Sequence, residues 1–534
     1  MKYNKLFMLS AFTASMFFGC ATLKVTNAPI KDLSTIATKQ VELNEEEKHT
    51  WGHLDVLSDS LPGMSVEKTY AEIIKDNKGK NVIVAVIDSG IDIDHEDLND
   101  VIWVNTKEVP SNGIDDDKNG YVDDIHGWNF LGDSYDEQLE YVRLLKSGVD
   151  FQRKEEAQAK YDKDYNRAKK NKARYESILE RVEEAHKVLE SLFGRADYTK
   201  ADINTLISED AKVIKAIKFA KQIYGNGLES MTYAIEELQS GIHYFSERID
   251  VNLNMELKGR STGDDPDDFS QTSYGNGNVK HTTKDESHGT HVAGIIAAEH
   301  GNGLGVDGIA NNVHIMVIRA IPNGDEYDKD VALAIRYGAD NGAKVMNTSF
   351  GKAYSPHSDK VREAIAYAAS KDVLIVNAAG NDAIDLDENE SYPNDSVDNG
   401  PEVADNFITV GALSPSNGED LVANFSNYGK INVDVFAPGA KIYSTIPENK
   451  YGTKGGTSMA APAVAGVAAL IRSYFPKLSA SQVKSVLMAS GLPKSGEVNI
   501  GGDPNKKSSF DAMSKSGKMV NAYNAFILAS IISN

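Results

Sequence analysis

The chain has 534 residues, of which 41% are hydrophobic and 25% charged, and its formal net charge at pH 7 is −22. These proportions are ordinary for a globular protein, and the length is enough for two or more domains with a large core. The acidic balance argues against a nucleic-acid partner, because binding to a phosphate backbone requires a basic surface. The single cysteine, Cys20, excludes stabilisation by a disulfide within the chain.

Residues 1–19 predict an export signal. Two lysines precede a short apolar stretch, 6–18, which is followed by Gly19 and Cys20. A charged start, a short apolar stretch and a small residue at the junction are typical of a secretory signal peptide, and this stretch is too short to span a bilayer. The junction resembles the processing site of bacterial lipoproteins, which predicts a lipid on Cys20; the alternative is a plain signal peptide with a chance cysteine. We therefore expect the polar residues 20–50 to be a lipid-anchored tether at a bacterial membrane, on the outer membrane or cell surface rather than the inner membrane.

The first strongly patterned element is a buried strand at 82–87. Its residues are apolar on both faces and mostly β-branched, as in a strand inside a parallel sheet. Asp88 follows directly, at the carboxyl end of the strand, where α/β proteins build their sites. The alternative is that Asp88 caps a turn.

An acidic loop follows at 113–124. Its candidate metal ligands alternate along the chain: Asp115, Asp117, Asn119, Tyr121 and Asp123. Gly120 allows a sharp turn, so the loop resembles the first nine positions of an EF-hand loop. The twelfth position is His126 instead of a bidentate glutamate. The sequence thus predicts a calcium site without a helix–loop–helix EF-hand, and the alternative is a solvated acidic turn.

The character of the chain changes from 134 to 255. Proline is absent between Pro110 and Pro266, and lysine, glutamate and alanine dominate. Apolar residues recur at alternating steps of three and four: Tyr175, Ile178, Val182, Ala185, Leu189 and Leu192. This spacing predicts a long amphipathic helix, and further helical patterns follow at 201–223 and 228–247. We interpret 134–255 as an all-helical insertion, which is either a solvated spacer or a lid or partner-docking arm.

Strand and helix patterns alternate after the insertion. The strand-like runs are 314–320, 343–349, 374–378 and 407–413. The helical runs include 295–298, 331–341 and 360–370. Such alternation predicts an α/β fold, a doubly wound parallel sheet with helices on both faces.

The heptapeptide 456–462, Gly-Thr-Ser-Met-Ala-Ala-Pro, precedes an apolar run at 463–470 that is typical of a buried helix. It places Ser458 near the first turn, where unpaired backbone N–H groups face any ligand. A serine in this position is either an N-cap or a nucleophile, and a nucleophile needs a base and an acid elsewhere. His288 and His291 are candidate bases. A zinc site on them is disfavoured, because the glutamate of H-E-x-x-H is missing and no thiol is available.

Four segments, taken in chain order, resemble the subtilisin-like serine peptidases, the subtilases. They are Val86-Ile87-Asp88-Ser89-Gly90, His288-Gly289-Thr290-His291-Val292-Ala293-Gly294, Ala378-Ala379-Gly380-Asn381 and Gly456 to Pro462. The order Asp, His, Ser is also that of the family. The resemblance predicts a subtilisin-like peptidase domain made of 51–133 and 256–534, interrupted by the insertion.

The resemblance assigns roles residue by residue. It implies that Ser458 is the nucleophile, that His288 is the general base and that Asp88 orients His288. It implies that Asn381 donates to the oxyanion. The implied substrate-binding residues are Ser349, Phe350, Gly351, Ala378, Ala379 and Gly380. A second calcium site is implied at Asp97, Asn302, Leu304 and Val306.

The expected function is that of a serine endopeptidase, which hydrolyses peptide bonds of proteins through an acyl-enzyme outside the cytoplasm. The expected partners are protein or peptide substrates and, through the lipid on Cys20, a membrane. Calcium is expected as a structural ion and no catalytic cofactor is expected. The alternative from another class is a non-catalytic lipoprotein that has the same scaffold and binds a partner through its helical insertion.

Overall fold

The structure, a computed structural model, describes residues 23, 25–30, 39, 42–283 and 286–533. The predicted signal peptide and Cys20 lie outside the described residues. Among the helices in the described part of the chain, none combines the length and the apolar character needed to cross a membrane.

The described residues form thirteen strands and fourteen α-helices. The strands are β1 Val82–Asp88, β2 Gly127–Asn129, β3 Val313–Arg319, β4 Val345–Thr348, β5 Leu374–Ala378, β6 Phe407–Leu413, β7 Val435–Pro438, β8 Ile442–Ile446, β9 Lys450–Lys454, β10 Leu492–Pro493, β11 Glu497–Ile500, β12 Asp503–Ser509 and β13 Lys518–Met519. The helices are α1 Glu45–Thr50, α2 Val56–Asp59, α3 Val66–Thr69, α4 Glu140–Ser147, α5 Lys154–Phe193, α6 Lys200–Thr205, α7 Ala211–Gly225, α8 Met231–Glu247, α9 His288–Ala297, α10 Asp328–Asp340, α11 Ser358–Ser370, α12 Thr457–Tyr474, α13 Ala480–Ser490 and α14 Ala522–Ile532.

One large sheet organises the fold, with the strand order β10-β13-β7-β6-β5-β4-β1-β3-β2. All neighbouring strands in it are parallel except the pair β10 and β13 at one edge. Side chains of β1 alternate between two cores. Val84 and Val86 pack with α9, α12, α13 and α14, whereas Ala85 and Ile87 pack with α10 and α11. The predicted α/β fold with helices on both faces of a mostly parallel sheet is therefore confirmed.

The topology places several strand ends and one helix start at the same edge of the sheet. Asp88 is the last residue of β1, and Ala378 is the last residue of β5, two strands away. Helix α12 begins at Thr457, six residues before the predicted apolar run, and Pro462 lies inside it. Every residue of α12 is buried except Ser458, which is partly exposed. A helix buried over its whole length therefore holds one accessible side chain at the sheet edge.

The segment 134–255 contains five of the helices, α4 to α8. Helix α5 is 40 residues long and begins at Lys154, well before the apolar stripe from which a helix is predicted. Helices α5, α7 and α8 share an apolar core of their own, which includes Val182, Ala185, Leu189, Ala220, Ile223 and Ala234. The two limbs of the segment meet at its base, where Leu139 N–H donates to the Asn252 carbonyl at 3.0 Å.

Part of the predicted tether lies on the body of the protein. Helix α1 falls within residues 20–50, and the side chain of Asn44 caps it. Farther upstream, the backbone N–H of Ile30 donates to Asn524 Oδ1, and Asn524 Nδ2 donates back to the Ile30 carbonyl, both at 2.8 Å. The described part of the tether thus packs against α14, a contact between residues almost 500 positions apart that local sequence composition does not reveal.

Candidate active site

Asp88 and His288 form a hydrogen-bonded pair across 200 residues of sequence. His288 Nδ1 lies 2.9 Å from Asp88 Oδ1 and 3.0 Å from Oδ2. The Asp88 side chain is 4% exposed and that of His288 is 37% exposed. The backbone N–H of Ser89 also donates to Asp88 Oδ1, at 2.8 Å. A buried, hydrogen-bonded carboxylate therefore fixes the orientation of an imidazole whose other nitrogen is available to solvent or substrate.

Gly289 makes this pairing sterically feasible. A Cβ atom at this position would lie 2.3 Å from the Gly90 carbonyl oxygen and 3.2 Å from Asp88 Cβ. Any larger residue would push the start of α9 away from the end of β1, so the His-Gly sequence is required by the close approach of the two elements.

Ser458 is the second residue of α12 and faces the edge of the sheet. Its Oγ donates to the Ser349 carbonyl at 3.1 Å, and Ser349 Oγ donates back to the Ser458 carbonyl at 2.9 Å. The predicted nucleophile and the first residue of the predicted substrate-binding segment are thus joined directly, although 109 residues separate them in the sequence.

Thr457 fixes the side-chain amide of Asn381. Asn381 Oδ1 accepts hydrogen bonds from Thr457 N–H at 2.8 Å and from Thr457 Oγ1 at 3.1 Å, which leaves Nδ2 as the donor at the site. A Cβ atom placed on Gly456 would be 3.5 Å from Asn381 Nδ2 and 3.6 Å from Ser458 N. The two nitrogens therefore lie on the same side of Gly456, as two donors to one oxyanion would.

Sequence reasoning gave no role to the residues that support Asn381. Besides Thr457, the buried side chain of Asn427 holds the turn that contains Asn381. Its Nδ2 donates to the Ala379 carbonyl, and its Oδ1 accepts from the N–H groups of Asp382 and Ile384. Asn427 lies in Phe425-Ser426-Asn427-Tyr428-Gly429, a further segment that resembles the subtilases, but the resemblance assigned it no role.

His291 is a structural residue and is not available as a ligand or base. It is fully buried, and its Nε2 lies 3.1 Å from both the Ile442 and the Gly452 carbonyl oxygens. Burial lowers its pKa to about 3, so the ring is neutral and donates to these carbonyls. Of the two candidate bases, only His288 reaches Asp88.

Two of the predicted substrate-binding residues contact the start of α12: Ser349 hydrogen-bonds Ser458, and Gly380 N–H donates to Thr457 Oγ1 at 2.9 Å. Ser349, Ala378 and Ala379 are buried, while Phe350 is partly exposed and Gly351 exposed. A cavity of about 350 Å³ is lined in part by the two alanines. It also carries five acidic side chains: Asp387, Glu388, Glu390, Asp395 and Asp398. Burial raises the pKa of Asp395 to about 7, and the neighbouring Glu402 adds to the rise.

In the acidic loop, some of the predicted calcium ligands lie close together, whereas others make contacts within the loop or with the aromatic core. Carboxylate oxygens of Asp115 and Asp117 lie close together, and Asn119 N–H donates to both residues at 3.1 Å. The Asp123 carboxylate instead accepts from the N–H groups of Asn112 and Gly113. The Tyr121 ring packs against Trp128 and Tyr337. Asp123 and the Tyr121 ring are thus used to hold the shape of the loop.

The residues of the second predicted calcium site also converge. Asp97 is fully buried, and its two oxygens accept from Asn302 Nδ2 at 2.7 Å and from Val306 N–H at 3.2 Å. Asn302 Oδ1 accepts from the N–H of Leu304, which is exposed. The four residues are thus connected by hydrogen bonds around the Asp97 carboxylate. The calcium ion expected there stays a prediction.

Comparison with known proteins agrees with this geometry. The family model described as "Subtilase family" matches residues 79–509. The thermophilic serine proteinase of Bacillus sp. (strain AK1) is 44% identical over 188 residues, 35% of this chain and 43% of that protein. Subtilisin DY of Bacillus licheniformis is 37% identical over 209 residues, 39% of this chain and 71% of that protein. The major intracellular serine protease of Bacillus subtilis (strain 168) is 32% identical over 302 residues, 55% of this chain and 84% of that protein.

The chain therefore spans less than half the length of the first of these relatives and most of the length of the other two. The family model covers well over half of the chain, and the segments from β1 to α12 that form the site lie within it. The chain belongs to the subtilase family of serine peptidases.

Proposed function

We propose that this protein is a serine endopeptidase that hydrolyses peptide bonds of proteins, with Ser458, His288 and Asp88 as its catalytic triad. The observation that carries the proposal is the Asp88–His288 pair at 2.9 Å, at the same sheet edge as the one accessible side chain of α12. Membership of the subtilase family supports the same reaction class.

In the proposed reaction, Ser458 Oγ attacks the carbonyl carbon of the scissile peptide bond, while His288 Nε2 removes the hydroxyl proton. His288 then donates this proton to the leaving amine, which leaves an ester between Ser458 and the acyl part of the substrate. Water hydrolyses the ester in a second step with His288 again as the base. Asp88 stays ionised throughout and stabilises the imidazolium.

The Ser458 hydroxyl hydrogen-bonds the Ser349 carbonyl in this structure, so it must change partner before the reaction. The change that the proposal requires is rotation about the Cα–Cβ bond of Ser458, since the rest of α12 is buried. Catalytic hydrogen bonds often form only in the complex with substrate.

The direct test is labelling with a fluorophosphonate, which reacts covalently with an activated serine. We expect the full-length chain to be labelled at Ser458, as located by mass spectrometry of the labelled peptide. A folded protein without label, and without cleavage of casein, would favour the alternative of a non-catalytic partner-binding lipoprotein.

Replacement of Asn381 by alanine is expected to lower kcat by a factor on the order of 10²–10³, with little change in KM. The reason is that the Nδ2 donor is needed only when negative charge develops on the carbonyl oxygen. Steady-state kinetics on a fluorogenic peptide measure both constants, with Asn99→Ala, an exposed position, as the control. A rise in KM at unchanged kcat would show that Asn381 binds the ground state instead.

We also propose that Cys20 carries a lipid that holds the enzyme at a bacterial membrane outside the cytoplasm. The support is the signal-like stretch before Gly19–Cys20. Cys20→Ser is expected to move the protein from the detergent phase to the aqueous phase in Triton X-114 partitioning. Retention in the detergent phase would contradict the anchor.

Calcium is proposed as a structural ion, with no part in the chemical steps. The oxygen-rich acidic loop and the Asp97 group support it, because Ca²⁺ is bound by carboxylate, carbonyl and amide oxygens.

A further inference from the structure

A buried carboxylate outside the alternating motif faces the acidic loop. Glu108 is 6% exposed, and its Oε1 accepts the backbone N–H of Asp117 at 3.0 Å. Its Oε2 is buried and has no hydrogen-bond partner among the described residues. Such an oxygen is costly, because it has lost its hydration without gaining a donor. A cation or a hydrogen-bond donor at this position would offset that cost.

Two carboxylates of the loop lie beside the Glu108 carboxylate. One carboxylate oxygen from each of Glu108, Asp115 and Asp117 lies within 4.8 Å of the other two. Three like charges at this separation repel one another, and a divalent cation between them turns the repulsion into attraction. The ligand atoms are all carboxylate oxygens, which suit Ca²⁺ rather than a thiol- or imidazole-preferring metal.

The surrounding hydrogen bonds hold this arrangement in place. Asp115 Oδ2 accepts from Gly120 N–H at 2.9 Å, and Gly120 has the positive φ of +99° that such a sharp turn needs. His126, at the twelfth position of the loop, is engaged elsewhere, with its Nδ1 2.9 Å from the Trp103 carbonyl oxygen. The loop therefore lacks the carboxylate that an EF-hand supplies from its twelfth position.

We propose that Glu108, Asp115 and Asp117 form a Ca²⁺ site, in which Glu108 supplies this missing carboxylate from the other limb of the loop. The inference rests on the proposed use of calcium as a structural ion and is independent of the catalytic proposal.

The site joins two limbs of chain that lead to an edge of the central sheet. Trp103 N–H donates to the Ile315 carbonyl of β3, and Asn105 N–H donates to the Ile125 carbonyl, both at 2.8 Å. Glu108 follows the first limb, whereas Asp115 and Asp117 precede the return to β2. An ion held by both limbs therefore stabilises the edge strand from which the helical segment 134–255 departs.

The test is calorimetric titration of CaCl₂ into the full chain after chelator treatment and desalting. All variants carry Ser458→Ala, so that self-cleavage does not contribute and the readout is independent of peptidase activity. We expect Glu108→Gln to weaken one binding event at least about tenfold and to reduce the rise in Tm that Ca²⁺ causes in the parent. Glu209→Gln, which alters an exposed glutamate far along the chain, is expected to bind as the parent does.

A second substitution distinguishes the two predicted calcium sites, the one at Glu108 and the one at Asp97. Asp97→Asn is expected to retain the binding event that Glu108→Gln weakens. Unchanged affinity and stoichiometry in Glu108→Gln, or a parent that binds no Ca²⁺ at millimolar concentration, would overturn the proposal. If circular dichroism shows that Glu108→Gln does not fold, Glu108→Asp takes its place: weakened binding supports the site and parent-like binding overturns it.

Discussion

Replacement of Ser458 by alanine is expected to lower kcat for peptide-bond hydrolysis by a factor of about 10⁶. The side chain that forms the covalent intermediate is then missing, and only substrate positioning and the donors near Gly456 remain to assist attack by water. Initial rates of casein cleavage and of a fluorogenic peptide, measured at high enzyme concentration, cover this range. Fluorophosphonate labelling should disappear in the same variant.

The variant should keep its fold, so that the loss is chemical. Ser458 Oγ makes one hydrogen bond, to the Ser349 carbonyl, which is worth about 1 kcal/mol. Thermal unfolding should therefore change little, and Ser481→Ala, a partly exposed serine on α13, should match the parent in both assays. Cleavage by Ser458→Ala within tenfold of the parent would exclude Ser458 as the nucleophile.

Asp88→Asn is expected to lower kcat by a factor of about 10⁴. The amide is nearly isosteric with the carboxylate, so the end of β1 and the contact with Gly289 are kept. However, an amide can turn its N–H groups toward Nδ1 of His288, which favours the wrong tautomer, and it cannot stabilise an imidazolium. Steady-state kinetics should show a loss in kcat with KM largely retained.

Two controls make this result specific. Asp100→Asn removes an exposed carboxylate from the same part of the chain and should leave the kinetics unchanged. His288→Ala and the double variant with Asp88→Asn should be about equally inactive, because residues that act as one unit are not additive. An Asp88→Asn enzyme within tenfold of the parent would mean that the carboxylate is not needed to orient His288.

The sheet was predictable because its strands carry strong local signals. The predicted runs 374–378 and 407–413 coincide with β5 and β6, and the run 82–87 ends one residue before β1 does. These strands are buried over nearly their whole length, so their sequences are mostly apolar. The ends of the helices in segment 134–255 were harder to predict. The fully buried residues in the first half of α5 are alanines, Ala157 and Ala168, and the larger side chains beside them are tyrosines, Tyr161 and Tyr165, so the apolar pattern is weaker there.

The candidate site was predictable where family motifs carry it, and not where long-range contacts complete it. Asp88, His288 and Ser458 stand in distinctive sequences, and the structure brings Asp88 and His288 into contact. Glu108 has no such signal, since nothing in its local sequence shows that it is buried opposite Asp115. The supporting role of Asn427 depends likewise on backbone groups some 45 residues earlier. Pairings of this kind are decided by how the elements pack.

The base of segment 134–255 has a consequence for how such proteins diversify. Its two limbs are joined where Leu139 bonds to Asn252, and Asn252 Nδ2 donates to the Glu137 carbonyl at 3.2 Å. The chain between these residues leaves and re-enters the body at this junction, and α4 adds a contact nearby, the Glu140–Lys352 ion pair at 2.7 Å. Because the two limbs are adjacent, we expect that a shorter turn or a different helical segment can be joined to them without changing the path of any strand of the sheet. The helices α5, α7 and α8 share an apolar core of their own, so we expect their sequences to vary more freely among related proteins than the residues of the central sheet.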